Sequence, residues 1–221
     1  MQSGETGGMG LSTEVPTVVS VNVGLPRVVE WRGRQVSSAI WKEPVEGPIV
    51  LEGINLVGDD QADRRVHGGI DKAVYAYSVE DYQRWATTTG PLRPGTFGEN
   101  LTTGGIDLGK AHIGDRWRVG SAVLEVSQPR QPCFKIGIAM GDDSFPGAFA
   151  AAGRPGTYLR IITAGSLQAG DLIVVDPAAL PAVRVDSLVD DEIDEAVLRQ
   201  VVDDPRVPEG WRRSAARALG R

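Results

Sequence analysis

Cysteine, histidine and long apolar runs are all scarce in this chain of 221 residues. The one cysteine, Cys133, excludes an internal disulfide and a zinc site made only of cysteines, and it fits a reducing compartment. The two histidines, His67 and His112, are too few for a multi-histidine metal centre. The longest apolar runs, such as residues 172–175, fall far short of the ~20 residues that span a bilayer. A transmembrane protein is thereby excluded.

Positive charge and nucleotide-binding signatures are missing as well. Asp and Glu (29) outnumber Lys and Arg (23), and the net charge of −6 disfavours nucleic acids and anionic membranes as partners. The chain has neither a Gly-x-Gly-x-x-Gly motif after a strand nor a P-loop. The first 14 residues are polar and glycine-rich, without the apolar stretch of a signal peptide. We therefore expect a cytoplasmic protein that binds neither nucleic acid nor membranes.

Short β-type runs, separated by Gly, Pro, Asn and Asp, make up most of the chain. This spacing predicts a mainly β barrel or sandwich with few helices rather than a βαβ repeat. The predicted strands cover residues 17–23, 36–41, 49–51, 73–77, 122–126, 158–163 and 172–175. Short helices are predicted at residues 78–86 and 144–151. We interpret residues 17–176 as one β domain that follows a disordered tail over residues 1–16.

The composition changes near residues 177–181, and helical patterns follow. Apolar residues recur at helical spacing over residues 187–202 and 207–219. Acidic residues crowd the first turns of the earlier segment, where they suit the helix dipole. Because so few short helices cannot support a large core of their own, residues 177–221 are predicted to be a helical extension docked on the β domain.

Three segments carry more charge and glycine than a plain β domain needs. In residues 63–72, Gly68 and Gly69 would let a ligand approach the backbone, and Lys72 could contact an anion. The alternative is a solvated loop whose glycines only make the turn. In residues 95–103, Glu99 and Asn100 could point into a site, or Asn100 could simply tolerate an unusual turn conformation.

The segment around the cysteine, residues 127–135, is the sharpest of these signals. Pro129 and Pro132 stiffen the approach to Cys133. Arg130 and Lys135 flank the cysteine and would favour its thiolate, which is both a nucleophile and a soft metal ligand. The alternative, an inert buried cysteine, is usually surrounded by aliphatic residues.

Five segments in this order resemble the MOSC domain, a family named for the C-terminal domain of molybdenum cofactor sulfurases. They are VSVNVG at residues 19–24, GDDQAD at 58–63, HGGIDKAVY at 67–75, FGENLT at 97–102 and PRQPCFK at 129–135. The resemblance covers residues 18–175, and the helical extension resembles the three-helix extension of the YiiM-like bacterial branch.

The resemblance implies a β-barrel-like fold and binding of the molybdenum cofactor, a pyranopterin that carries phosphate. It also implies an oxidoreductase that needs no pyridoxal phosphate and reduces N-hydroxylated compounds such as 6-N-hydroxylaminopurine, a detoxification. The electrons would come from separate redox proteins, and homodimer formation is left open.

The resemblance also assigns roles to individual residues. Cys133 would be the molybdenum ligand, and the catalytic set would be Cys133, Asp71, Glu99 and Asn100. Asp71 could instead pair with a neighbouring cation. The residues that would hold the pterin and its phosphate are His67, Gly68, Gly69, Lys72, Arg130 and Lys135.

Two other functions remain open from the residues alone. The chain could be a sulfur carrier that holds a persulfide on Cys133 without a metal, although it has no fused pyridoxal-phosphate domain to supply sulfur. It could also be a non-catalytic binding module whose helical extension is the partner surface, although helices that merely pack on a barrel are commoner.

Overall fold

The computed structural model describes residues 15–62, 68–190 and 192–220. Most of the predicted tail therefore lies outside the described residues. The thirteen strands are β1 (Thr17–Val23), β2 (Arg27–Trp31), β3 (Arg34–Ser38), β4 (Glu43–Val45), β5 (Ile49–Glu52), β6 (Asn55–Leu56), β7 (Val74–Ser78), β8 (Leu101–Gly104), β9 (Arg116–Val119), β10 (Ala122–Pro129), β11 (Thr157–Thr163), β12 (Gly165–Leu167) and β13 (Val174–Asp176). The five α-helices are α1 (Val79–Thr89), α2 (Phe134–Met140), α3 (Phe145–Ala151), α4 (Glu195–Asp203) and α5 (Glu209–Ala218).

Eight strands form one curled sheet in the order β13-β9-β10-β11-β7-β8-β1-β4. Its neighbours are antiparallel except for the parallel pair β7 and β8. The curl brings the start of β1 back to the segment before β13, where Thr17 bridges Leu172. A second sheet, β12-β5-β6, and a separate ribbon, β2-β3, complete the β structure. The prediction of a mainly β, barrel-like fold with few helices is confirmed.

Apolar side chains from the concave side of the sheet form the main core. Trp117, Leu124 and Leu159 are fully buried there, together with Val18 and Val21 of β1. Burying side chains of this size contributes roughly 1.5–3 kcal/mol each, so this cluster provides much of the free energy of folding. The valine-rich composition of β1 is thus explained by a buried position between β8 and β4.

Several predicted boundaries are wrong. The strand expected over residues 122–126 extends to Pro129, and the helix expected over residues 78–86 extends to Thr89. The strand expected over residues 36–41 ends at Ser38, and the chain then continues without regular structure toward β4. The helix expected over residues 187–202 begins at Glu195, where the Asp194 side chain caps it by accepting from the Ala196 N–H at 2.7 Å. The acidic residues Asp190, Glu192 and Asp194 therefore precede the helix, and Asp191 lies outside the described residues.

Several elements have no counterpart among the predictions. Strands β4 and β8 are short and include polar residues, and β8 nevertheless lies inside the main sheet. Helix α2 follows the cysteine directly, where the prolines had indicated only a stiff loop. Each of these segments has weak intrinsic preference, and its neighbours in the fold decide its conformation.

The chain after β13 packs against the β domain through apolar side chains. Leu188, Val201, Val207 and Ala215 form an apolar cluster with Ile113, which lies between β8 and β9. None of the described helices combines the length and the apolar character that crossing a bilayer requires.

Candidate functional site

A cleft of about 100 Å³ contains the half-buried thiol of Cys133. The cysteine lies between β10 and α2, and the other walls come from the segments after β3, after β6 and before β8. Five of the residues predicted for the site line this cleft, namely Lys72, Asn100, Arg130, Cys133 and Lys135. The fold therefore brings together residues from three separate sequence segments.

Hydrogen bonds and ring contacts hold the Arg130 side chain in place at the wall of the cleft. Its guanidinium Nη1 donates to the carbonyl oxygen of Phe97 at 2.6 Å and to the Tyr75 hydroxyl at 3.2 Å. The same group lies 4.9 Å from the ring centre of Tyr75 and 5.4 Å from that of Phe149. With only 6% of the residue exposed, Arg130 is a fixed positive charge rather than a mobile surface cation.

Two lysines add further positive charge to the cleft. Burial lowers the pKa of Lys72, although the nearby Asp71 and Cys133 act in the opposite direction. Burial also lowers the pKa of Lys42, and the ion pair between its ammonium and Asp59 opposes this shift. Lys42 was not among the predicted residues, because nothing in the sequence around residue 42 distinguishes it from a surface lysine.

Asp59 lies in the wall of the cleft and accepts hydrogen bonds from three other segments. Its Oδ1 accepts from the Gly24 N–H at 2.8 Å as well as from Lys42, and its Oδ2 accepts from Asn100 Nδ2 at 2.9 Å. The Asn100 Oδ1 in turn accepts from the Tyr75 N–H at 3.1 Å. Asn100 thus reaches the cleft, but its amide is engaged in holding the wall. The GDDQAD segment was the available sequence signal for Asp59.

Glycines make room for the segment that carries Lys42. A Cβ on Gly95 would lie 2.5 Å from the Lys42 carbonyl oxygen, and one on Gly98 would lie 2.9 Å from a carbon of Ile40. Both glycines also have positive φ, at 86° and 80°, which side-chain-bearing residues rarely adopt. The glycines of this loop therefore allow the close packing that places Lys42 at the cleft.

Glu99 lies beneath the cleft and does not line it. Its side chain is fully buried, and Oε1 accepts from the Tyr82 hydroxyl at 2.6 Å, the Gly95 N–H at 2.6 Å and the Thr102 hydroxyl at 2.8 Å. Burial raises the pKa of Glu99, and these hydrogen bonds oppose the shift. This position differs from the expectation that Glu99 points into the site, because the carboxylate holds the loop from behind.

Asp71, Gly68 and Gly69 also lie away from the thiol cleft. They line a second cavity next to it, and Asp71 Oδ1 accepts from Arg160 Nε at 2.6 Å. Asp71 therefore makes the contact that the alternative expectation described, an ion pair with a neighbouring cation. The Gly69 N–H donates to Gln61 Oε1 at 3.0 Å. His67 lies outside the described residues.

The side chains that line the cleft are suited to bind an anionic ligand that contains a soft metal ion. Soft metal ions bind preferentially to thiolate sulfur. Positively charged side chains in the same cleft can bind a phosphate group. Lys72, Arg130 and Lys135 provide these cations in a chain whose net charge is −6, whereas Lys42 is paired with Asp59. The molybdenum cofactor, with both phosphate and a thiolate-binding metal, therefore fits the side chains that are present.

Comparisons with known proteins agree with this geometry. A family model for the MOSC domain matches residues 63–174. The uncharacterized protein YflK of Bacillus subtilis (strain 168) is 38% identical over 155 residues, which are 70% of each chain. A reductase of Gibberella moniliformis (strain M3125 / FGSC 7600) is 34% identical over 149 residues, which are 64% of this chain and 26% of the fungal protein.

A solved structure extends the similarity beyond the matched domain. The crystal structure of YiiM from Geobacillus stearothermophilus superimposes with a TM-score of 0.75 at 28% identity, covering 92% of this chain and 99% of that one. Because the extension is longer than the uncovered 8% of the chain, the similarity includes at least part of it. MOSC domains are associated with the molybdenum cofactor. The chain belongs to the MOSC domain family, in which it is a YiiM-like member.

Proposed function

We propose that this protein is a molybdenum-cofactor-dependent oxidoreductase that reduces N-hydroxylated compounds such as 6-N-hydroxylaminopurine. The observation that carries the proposal is the Cys133 thiol in a cleft with three cationic side chains, Lys72, Arg130 and Lys135, besides the Lys42–Asp59 ion pair. Membership of a cofactor-associated family and similarity to a reductase support the same reaction class.

The proposed roles follow from the contacts of each side chain. The Cys133 thiolate ligates molybdenum, and Lys72 and Lys135 bind the phosphate of the cofactor. Arg130 supplies a fixed charge, because its guanidinium is already bonded to Phe97 and Tyr75. When bound, the cofactor supplies the two-electron redox chemistry. A reducing, cytoplasmic setting would keep the thiol available for this role.

The proposed reaction breaks the N–O bond of the substrate. It consumes two electrons and two protons and releases the amine and water, so a separate redox protein must deliver the electrons. The two protons are taken from the surrounding water.

Metal analysis of the Cys133→Ser variant tests the proposal. The protein is purified from a host that makes the cofactor, and molybdenum is measured by mass spectrometry beside reduction of 6-N-hydroxylaminopurine with an artificial electron donor. We expect wild type to contain molybdenum and to be active, and the variant to lose most of both, because oxygen is a poorer soft-metal ligand than sulfur. Full loading and activity of the variant, with an unchanged melting temperature, would contradict the assignment.

The sulfur-carrier function is a second candidate, since the Cys133 thiol is free and partly accessible. In that case the protein would contain no molybdenum, and incubation with a cysteine desulfurase and cysteine would add one sulfur to Cys133. Intact-mass measurement of wild type and Cys133→Ser distinguishes the two functions.

A further inference from the structure

A second cavity, of about 530 Å³, lies between the Gly69–Lys72 part of the chain and helix α5. Its size is within the roughly 300–1,000 Å³ that is usual for small-molecule pockets, whereas the thiol cleft at about 100 Å³ is below that range. Lys72 and Gln131 line both spaces, so the two adjoin each other. A ligand that reacts at Cys133 can therefore place its larger part in the second cavity.

Trp211 of α5 forms a fixed wall of this cavity. The indole N–H donates to Gln128 Oε1 at 2.8 Å, and Gln128 is a buried residue of β10 whose Nε2 donates to the Asp71 carbonyl oxygen at 3.3 Å. This bond limits rotation of the indole, so the orientation of the ring is set before any ligand binds. A fixed indole face favours a flat aromatic ligand.

Polar groups at the edge of the cavity can form hydrogen bonds with the edge of a flat heterocycle. The Gln131 amide makes no hydrogen bond to the rest of the described chain, so both its donor and its acceptor remain available. The amide therefore offers the complementary pair that a nitrogen heterocycle presents at its edge.

Small residues on α5 keep the space open. Gly210 and Ser214 line the cavity one helical turn apart. A Cβ on Gly210 would meet nothing within 4 Å, and its backbone has no positive φ that would require glycine. Glycine in a helix usually costs roughly 0.5–1 kcal/mol relative to alanine, and neither packing nor backbone conformation explains it here.

We propose that this cavity binds a planar nitrogen heterocycle, stacked on Trp211 and bonded at its edge by Gln131. The inference deepens the proposed function, on which it rests for the heterocyclic nature of the ligand. Two sources share this chemistry, namely the purine of the substrate and the pterin of the cofactor.

Binding of small heterocycles to the purified protein tests this directly, without any enzymatic turnover. Adenine and 6-hydroxymethylpterin are titrated separately into Cys133→Ser protein, which holds the cavity but lacks the thiol, and affinity is measured by calorimetry. We expect at least one to bind. Trp211→Leu should weaken that binding roughly 5- to 100-fold, because stacking on an aromatic side chain contributes about 1–3 kcal/mol per base. Trp211→Phe should lose less, because it retains a flat ring.

The Gly210→Leu variant distinguishes loss of binding caused by a filled cavity from loss of binding caused by unfolding. The new side chain enters open space, and the helix gains by losing a glycine, so the melting temperature should stay or rise while heterocycle binding falls at least tenfold. Arg213→Ala is the matched control on α5, since Arg213 is exposed and pairs with Glu209. This variant should bind as tightly as the parent protein.

The outcomes distinguish this inference from the proposed function. If wild type lacks molybdenum and activity but the heterocycle binds and Gly210→Leu blocks it, the proposed function fails and the cavity assignment stands. Loss of molybdenum in Gly210→Leu identifies the pterin as occupant, whereas full loading with a raised KM for 6-N-hydroxylaminopurine identifies the purine. If neither probe binds at millimolar concentration, or if Gly210→Leu binds normally, the cavity assignment is wrong.

Discussion

Lys42 and Asp59 form an ion pair that is almost entirely shielded from water at the wall of the thiol cleft. Their side chains are 7% and 3% exposed. A buried pair of this kind adds little net stability over an apolar pair, but removing one partner leaves the other charge desolvated. Lys42 therefore neutralises Asp59, which in turn holds Asn100 and the Gly24 N–H at the cleft.

Lys42→Met should lower the free energy of unfolding by about 3 kcal/mol, because it leaves the Asp59 carboxylate buried without its cation. Urea denaturation of both proteins measures the difference. Arg199→Ala, which breaks the exposed pair with Glu195 in α4, is the control and should cost about 0.5 kcal/mol or less. Equally small losses in the free energy of unfolding of both variants would show that the buried Asp59 carboxylate does not need Lys42 as its counterion.

At the scale of elements, the β2-β3 ribbon is the least integrated part of the β structure. Its strands pair with each other and with no strand of either sheet. Trp31, near its turn, stacks on Phe134 at the start of α2 with ring centres 4.7 Å apart, and its indole N–H donates to Asp143, between α2 and α3, at 3.1 Å. The ribbon also leads directly into the segment that carries Lys42.

Trp31→Ala should release the ribbon without unfolding the domain. Losing one aromatic stack and one hydrogen bond removes about 1–2 kcal/mol, so amide hydrogen exchange over residues 27–38 should quicken roughly tenfold. Exchange in β10 and β11 should not change. Glu30→Ala, on the exposed face of the same ribbon, is the control. Uniformly faster exchange throughout the chain would instead indicate global destabilisation.

Sequence patterns predicted elements well where a single periodicity dominates. Val18 and Val21 of β1 are buried as the strand pattern indicates, and Ala215 and Trp211 of α5 pack into the apolar cluster of the extension. The patterns failed where tertiary neighbours decide, as in β8, whose LTTG sequence is polar and yet buried at every position between β7 and β1. The start of α4 was misplaced because Asp194 was read as an acid within the first turns, whereas it is the cap.

At the scale of the whole molecule, Arg160 joins the sheet, the second cavity and the helical extension. From β11 it donates to Asp71 Oδ1 at 2.6 Å, to Glu125 Oε1 at 3.0 Å and to the Arg206 carbonyl oxygen at 2.8 Å. Only 14% of its side chain is exposed. Because each bond reaches a different segment, Arg160 couples the position of Asp71 to that of the extension.

Arg160→Leu should reduce the free energy of unfolding by about 3 kcal/mol, since Asp71 and Glu125 lose a largely buried partner. Thermal and urea unfolding measure the effect, and exchange over residues 68–72 should quicken more than in the rest of the sheet. The matched variant is Arg118→Leu in β9, whose pair with Asp176 is exposed and should cost less than about 1 kcal/mol. A loss as small as that of Arg118→Leu would mean that Arg160 contributes little to the docking of the extension.

The sequence by itself determined the mainly β class, the helical extension and the segment that contains Cys133, because periodicity, turn residues and a lone thiol between cations are local properties. Only the tertiary structure decided which of the predicted residues meet. It placed Lys42 and Asp59 in the cleft, moved Glu99 beneath it and turned Asp71 toward Arg160. These outcomes depend on contacts between segments distant in the chain, whose ion pairs and packing no local pattern encodes.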